Sequence, residues 1–171
     1  IYVGIVMGRH AGFLTAAASA WRIDEAAGPH LLYVPERAFD RARFVDDVKR
    51  IMDRHQRCVI AVSEGVSTAD GSSLVESLIP ADKLERDAHG NVQLSGTSLA
   101  DAFQHMLAEA LPGKRARVDT LGFMPRGNIA TISPVDQEEA FEAGAFAVRA
   151  IPGGSASVVL QFDGKRTIMK S

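Results

Sequence analysis

IYVGIVMGRHAGF, residues 1–13, carries an apolar run into a glycine-bounded turn holding Arg9 and His10, after which GFLTAAASAW, residues 12–21, takes up helical spacing. An apolar run without polar alternation is covered on both faces, so a strand of this kind feeding a helix opens an α/β fold. The turn admits two readings. Its backbone N–H groups, the positive end of the following helix and the forked guanidinium of Arg9 suit a phosphate. Gly8 and Gly12 equally suit a tight turn made for packing, with Arg9 in solvent.

Working outward, the same alternation repeats. HLLYVP (30–35) reads as a strand, and Phe44, Val45, Val48, Ile51 and Met52 then share one helical face before CVIAV (58–62), a second buried strand. Residues 65–97 are polar and read as an exposed excursion, with a small hairpin at the HGN turn of DAHGNVQLSG (87–96). Thr97 or Ser98 is expected to cap a helix whose Leu99, Ala102, Phe103, Met106, Leu107 and Ala110 form an apolar stripe ending at Pro112-Gly113. RVDTLG (117–122) reads as the next strand. Ser133, ahead of Pro134 and three residues before Asp136, opens a helix running to about Ile151. SVVLQFDGKRTIMK (157–170) carries Asp163-Gly164 between two strand patterns, a hairpin signal.

The expected architecture is therefore a layered, mostly parallel sheet with helices on both faces, ending in a helix and a β-hairpin. Ligands bind such sheets beyond the carboxyl ends of the strands. Three strands are followed there by chemically capable residues: Met7, Gly8 and Arg9; Ser63 and Glu64; and Phe123 to Arg126. The chain of 171 residues, 46% of them hydrophobic, suffices for a real core, and its net charge of -2 gives no electrostatic reason to expect nucleic acid or a membrane as partner. An anion site must then be a local cluster of Arg and Lys. The lone Cys58 excludes an internal disulfide and fits a reducing cytoplasm. No stretch approaches the roughly 18 apolar residues of a membrane span. The opening within a strand pattern, without an initiating Met, suggests part of a longer protein.

Several motifs fail on spacing. Gly4, Gly8 and Gly12 do not form a dinucleotide fingerprint, and Gly113-Lys114 lacks the remaining P-loop residues. Histidines 10, 30, 55, 89 and 105 show no paired spacing for a metal, and His10 reads as a turn residue. Glu64, directly after a strand and before Gly65, suits either sugar hydroxyls or an ordinary strand-end ion pair. Arg117 and Arg126 are each compatible with a surface salt bridge, while Arg9, Arg117 and Arg126 together match a phosphate dianion. Ser133 and Asp136 read as helix caps.

Taken in order, VMGRHAG (6–12), VPE (34–36), VSEG (62–65), R-x-D-T-L-G-x-x-x-R (117–126) and SPVDQEEAFEAGAFAV (133–148) resemble the phosphofructokinases over essentially the whole chain. That resemblance implies fructose 6-phosphate held by Met7, Gly8, Arg9, Glu64, Phe123 and Arg126, with Arg117 reaching the sugar phosphate of a neighbouring subunit in a homo-oligomer. Phe123 departs from the His or Tyr usual in the family, which removes a polar tip. The long segment between Glu64 and Arg117 looks more like the pyrophosphate-dependent bacterial members than the ATP-dependent ones. The family's GGDG or GGDD donor loop and its TIDND-like segment do not occur in the sequence. The resemblance thus implies a catalytic Asp, Mg2+ ligands and a pyrophosphate or ATP site outside this chain, which alone would be inactive. Residues 1–130 become the acceptor-binding part and 131–171 a helix and hairpin returning to a donor-binding domain. The contrasting expectation is a noncatalytic sugar-phosphate-binding regulatory module using the same arginines.

Overall fold

The apolar run at the start forms β1 (Tyr2–Val6), which pairs in parallel with β3 (Val59–Ser63) on one side and β4 (Arg117–Thr120) on the other; β2 (Leu31–Tyr33) pairs in parallel with β3, giving the order β2-β3-β1-β4. This computed structural model describes residues 1–78, 88, 98–153, 159–162 and 167–170. The chain divides into two compact units, Ile1–Pro125 and Arg126–Ser171. The sheet lies wholly in the first unit. Its four strands are parallel, so all their carboxyl ends share one edge.

Side chains alternate across a strand, and the two faces are built differently. On one face Val3, Ile5, Ile60 and Val62 are buried with Phe44, Val48 and Met52 of α2 (Arg41–His55) and Leu99, Phe103, Met106 and Leu107 of α4 (Ser98–Ala110). Tyr33, Phe39, Phe44 and Phe103 interlock there with centroids 5.4–5.6 Å apart, in tilted and edge-to-face pairs that add attraction beyond their burial. On the other face the five-residue α1 (Phe13–Ala17) lies against β2 and β3, and Gly28 sits so close to Val59 that a Cβ would fall 2.7 Å from the valine side chain. The Asp40 side chain caps α2 by accepting the Arg43 N–H at 2.8 Å.

The excursion is less open than its composition suggests. Val66, Leu74 and Val75 are buried in the main core, and Leu74 and Val75 belong to a short helix, α3 (Leu74–Leu78). Ser73 and Glu76 cap it reciprocally, each side chain accepting the other's backbone N–H at 3.1–3.2 Å. The expected hairpin at HGN and the Thr97 cap lie outside the described residues, as does the Asp163-Gly164 turn.

After the single-turn α5 (Met124–Gly127), the second unit contains α6 (Pro134–Ala150), whose Ser133 side chain accepts the Asp136 N–H at 3.3 Å as its spacing predicts. β5 (Val159–Phe162) and β6 (Thr167–Lys170) form the expected antiparallel pair. No helix among the described residues is long and apolar enough to cross a membrane.

Cys58 is buried just before β3, and that burial pushes its thiol up to about 11 from 9.0. The folded state therefore holds this proton more tightly than the unfolded chain. Its contribution to stability is complete below about pH 9 and is lost as pH rises toward 11. Tyr33, raised by burial and by the Asp47 carboxylate, acts with the same sign at still higher pH. Cys58→Ala is thus expected to reduce the alkaline fall of the urea midpoint without removing it, and identical pH profiles in variant and parent would disprove the linkage.

Candidate functional site

The turn after β1 is fastened to the turn after β3, its neighbour in the sheet. Gly8 donates its N–H to Glu64 Oε1 at 3.2 Å, and its carbonyl accepts both the Ser63 hydroxyl at 2.5 Å and the Gly65 N–H at 3.0 Å. Glu64 N–H donates to the Val6 carbonyl at 2.8 Å, which continues the strand ladder into the turn. Only glycine suits position 8: its φ of +149° is disfavoured for other residues, and a Cβ would fall 2.5 Å from the Ala11 carbonyl oxygen. Gly65 allows a closer approach still. A Cβ there would lie 1.8 Å from the Arg9 carbonyl oxygen, so the Arg9 backbone rests directly on Gly65.

At the far end of the turn, Gly12 donates its N–H to Glu36 Oε1 at 2.8 Å. The N–H groups of Gly8 and Gly12, two of the turn's backbone donors, are both engaged by carboxylates. The physical reason is topological: β1 lies beside β3, and α1 lies against β2, so the acids that follow those strands reach the turn. These two N–H groups thus serve the packing of the turn. Arg9 is half-buried between the two fastenings.

The three segments expected to converge follow the adjacent strands β3, β1 and β4. Leu121 N–H donates to the Ile5 carbonyl at 3.0 Å, extending the β4 pairing to the same carboxyl edge, and Gly122 then turns the chain with φ of +53°. Phe123 stands just beyond that turn with 63% of its surface exposed, so it is not a core residue. Met7, Gly8, Arg9, Glu64 and Phe123 thus all follow strands at one edge of the sheet. Arg126, exposed in the last turn of α5, begins the second unit.

Arg117 is placed otherwise. It is the first residue of β4, in register with Tyr2 at the amino edge of the sheet, and three residue steps of about 3.3 Å separate it from the carboxyl end of its strand. Within one chain β4 therefore places Arg117 toward the opposite edge of the sheet from Arg9. Arg117 instead shares a sheet face with Asp119. The Tyr2 phenol is raised by burial and by the nearby Asp119 carboxylate against an opposing influence of Arg117.

Sequence reasoning assigned no role to Glu36, although it noted the VPE stretch, and gave Ser63 none beyond its place at a strand end. The signal for both was position directly after a strand. Among the described residues no group of three or more His, Cys, Asp or Glu is placed to hold a metal ion.

Residues 1–151 match the phosphofructokinase family model. The chain is 51% identical over 150 residues to a pyrophosphate–fructose 6-phosphate 1-phosphotransferase of Rhodospirillum rubrum, an alignment covering 87% of this chain and 37% of that protein. It is 33% identical over 159 residues to the protein of the same name from Halomonas elongata, covering 92% of this chain and 36% of the relative. The chain thus spans a little over a third of the length of these relatives. In fold it resembles the crystal structure of a pyrophosphate-dependent phosphofructokinase from Marinobacter aquaeolei, with a TM-score of 0.66 at 23% identity, over 99% of this chain and 38% of the other. With its parallel sheet and the order of its motifs matched over that length, the chain belongs to the phosphofructokinase family.

Proposed function

We propose that this chain supplies the acceptor side of a 6-phosphofructokinase that transfers a phosphoryl group from pyrophosphate to the 1-hydroxyl of fructose 6-phosphate. The observation that carries the reading is the Glu64 carboxylate locked onto the Gly8 N–H at the carboxyl edge of two adjacent strands. One bond to Gly8 uses one of about four acceptor positions on a carboxylate, leaving others for sugar hydroxyls. Met7 and Gly8 shape the turn against the sugar, Phe123 supplies an apolar wall, and Arg9 pairs with its phosphate; Arg126 is assigned a phosphate-pairing role by its motif alone.

Arg117, at the far edge of the sheet, suits the sugar phosphate of a second subunit rather than its own. Exposed Phe13, Trp21 and Ile23 provide apolar surface of the kind an assembly covers. Pyrophosphate is favoured over ATP as donor by the names of the relatives at 51% and 33% identity. Phosphoryl transfer needs the acceptor held in line with a metal-bound donor and a base for its hydroxyl. The residues here bind and orient the acceptor, and the remaining groups are assigned to the rest of a cytoplasmic, glycolytic enzyme.

Glu64→Gln in the full-length protein tests the assignment, because an amide oxygen can still accept the Gly8 N–H while the negative charge is lost. The expected result is a rise of roughly tenfold in the fructose 6-phosphate KM, with the pyrophosphate KM and melting temperature nearly unchanged. A raised donor KM with a normal sugar KM would place Glu64 on the donor side. Tight fructose 6-phosphate binding without turnover by the parent protein, with either donor, would point to a regulatory module instead.

A further inference from the structure

We propose that Glu36 is a positioning residue for the acceptor turn, acting through Gly12 to set the placement of Arg9; the inference rests on the acceptor-side reading above. The turn has two fastenings and Arg9 lies between them. One is the triple attachment of Gly8 to Ser63, Glu64 and Gly65. The other is the Gly12 N–H donated to Glu36 Oε1 at 2.8 Å, across 24 residues of sequence.

The second fastening is steric as well as polar. A Cβ on Gly12 would lie 2.6 Å from the Val34 side chain and 3.0 Å from Glu36 Oε2, so the turn is pressed against the segment that follows β2. Beyond Gly12 the chain enters α1, only five residues long, and so short a helix does little to hold its own first turn in place. Without Glu36, the end of the turn farther from β1 would depend on the Gly12–Val34 contact and on α1 packing. A shift there moves Arg9 relative to Glu64, which is fixed to Gly8. Both groups are proposed to act on one sugar phosphate, so their separation affects binding directly.

The test uses the full-length protein with Glu36→Ala and Glu36→Gln. Glutamine keeps an oxygen that can accept the Gly12 N–H, whereas alanine removes it. Glu36→Ala is expected to raise the fructose 6-phosphate KM about tenfold while the donor KM stays near the parent value, and Glu36→Gln is expected to recover most of the loss. Hydrogen exchange at the Gly12 amide provides a readout independent of turnover, and it should accelerate at least about tenfold in Glu36→Ala. An active Glu36→Ala enzyme with an unchanged acceptor KM overturns the positioning role, whether or not exchange accelerates. An equal loss in both variants also overturns it, because the hydrogen bond would then not be the cause. If the parent protein neither binds nor phosphorylates fructose 6-phosphate, the acceptor-side reading fails first, and unchanged Gly12 exchange would show separately that the fastening itself is absent.

Discussion

Gly65→Ala is expected to lower fructose 6-phosphate use by the full-length protein at least about a hundredfold and to cost about 3 kcal/mol of stability, the upper part of the usual range for overpacking. The added methyl has nowhere to go. Its position lies 1.8 Å from the Arg9 carbonyl oxygen, 2.4 Å from the Arg9 carbonyl carbon and 2.6 Å from its Cα. All three are backbone atoms, so no rotamer change relieves the clash. The turn must lift off β3, which breaks the Gly65 N–H bond to Gly8 and draws the Gly8 N–H away from Glu64. Gly144→Ala is the matching control, since nothing lies within 4 Å of a Cβ there and the residue is inside α6. It should raise stability by up to about 1 kcal/mol, the gain of Ala over Gly in an exposed helix interior. Thermal melts with acceptor kinetics on both variants decide the matter: a Gly65→Ala enzyme with parental melting temperature and KM would mean that the two turns are not held together.

Much of this arrangement was legible because burial on both faces leaves a strong mark in sequence. The runs at 1–6 and 58–62 predicted β1 and β3, and the spacing of Phe44, Val48 and Met52 predicted the inner face of α2. The Ser133-Pro134-Val135-Asp136 sequence predicted the start of α6 because a cap depends on a few adjacent residues. Val66, Leu74 and Val75 escaped notice since they are isolated apolar residues among Ser, Thr, Asp and Gly, and only the tertiary fold brings them to one core. The same limit applied to the site. Sequence position could place Glu64 and Glu36 after strands, but which N–H each accepts depends on strand order. That order also separates Arg9 from Arg117, two residues that a list of cations would group together.

Strand order also bears on how a phosphate would be held. With the Gly8 and Gly12 N–H groups already engaged by carboxylates, a sugar phosphate at this edge draws less on those two donors and more on side-chain cations. In the acceptor-side reading, Arg126 therefore carries much of the phosphate affinity. Arg126→Met in the full-length protein is expected to raise the fructose 6-phosphate KM by roughly ten- to two-hundredfold, the range for losing charge-assisted hydrogen bonds, provided KM follows binding. Arg126→Lys should fall between the two, because an ammonium retains the charge but not the planar fork that matches two phosphate oxygens. Pairing the change with Arg9→Met sharpens the test. If both guanidiniums grip one phosphate, the double variant should lose less than the product of the single losses, since the remaining grip is already weakened. A KM unchanged in Arg126→Met together with a lowered melting temperature would make Arg126 a structural ion-pairing residue and leave Arg9 to hold the phosphate within this chain.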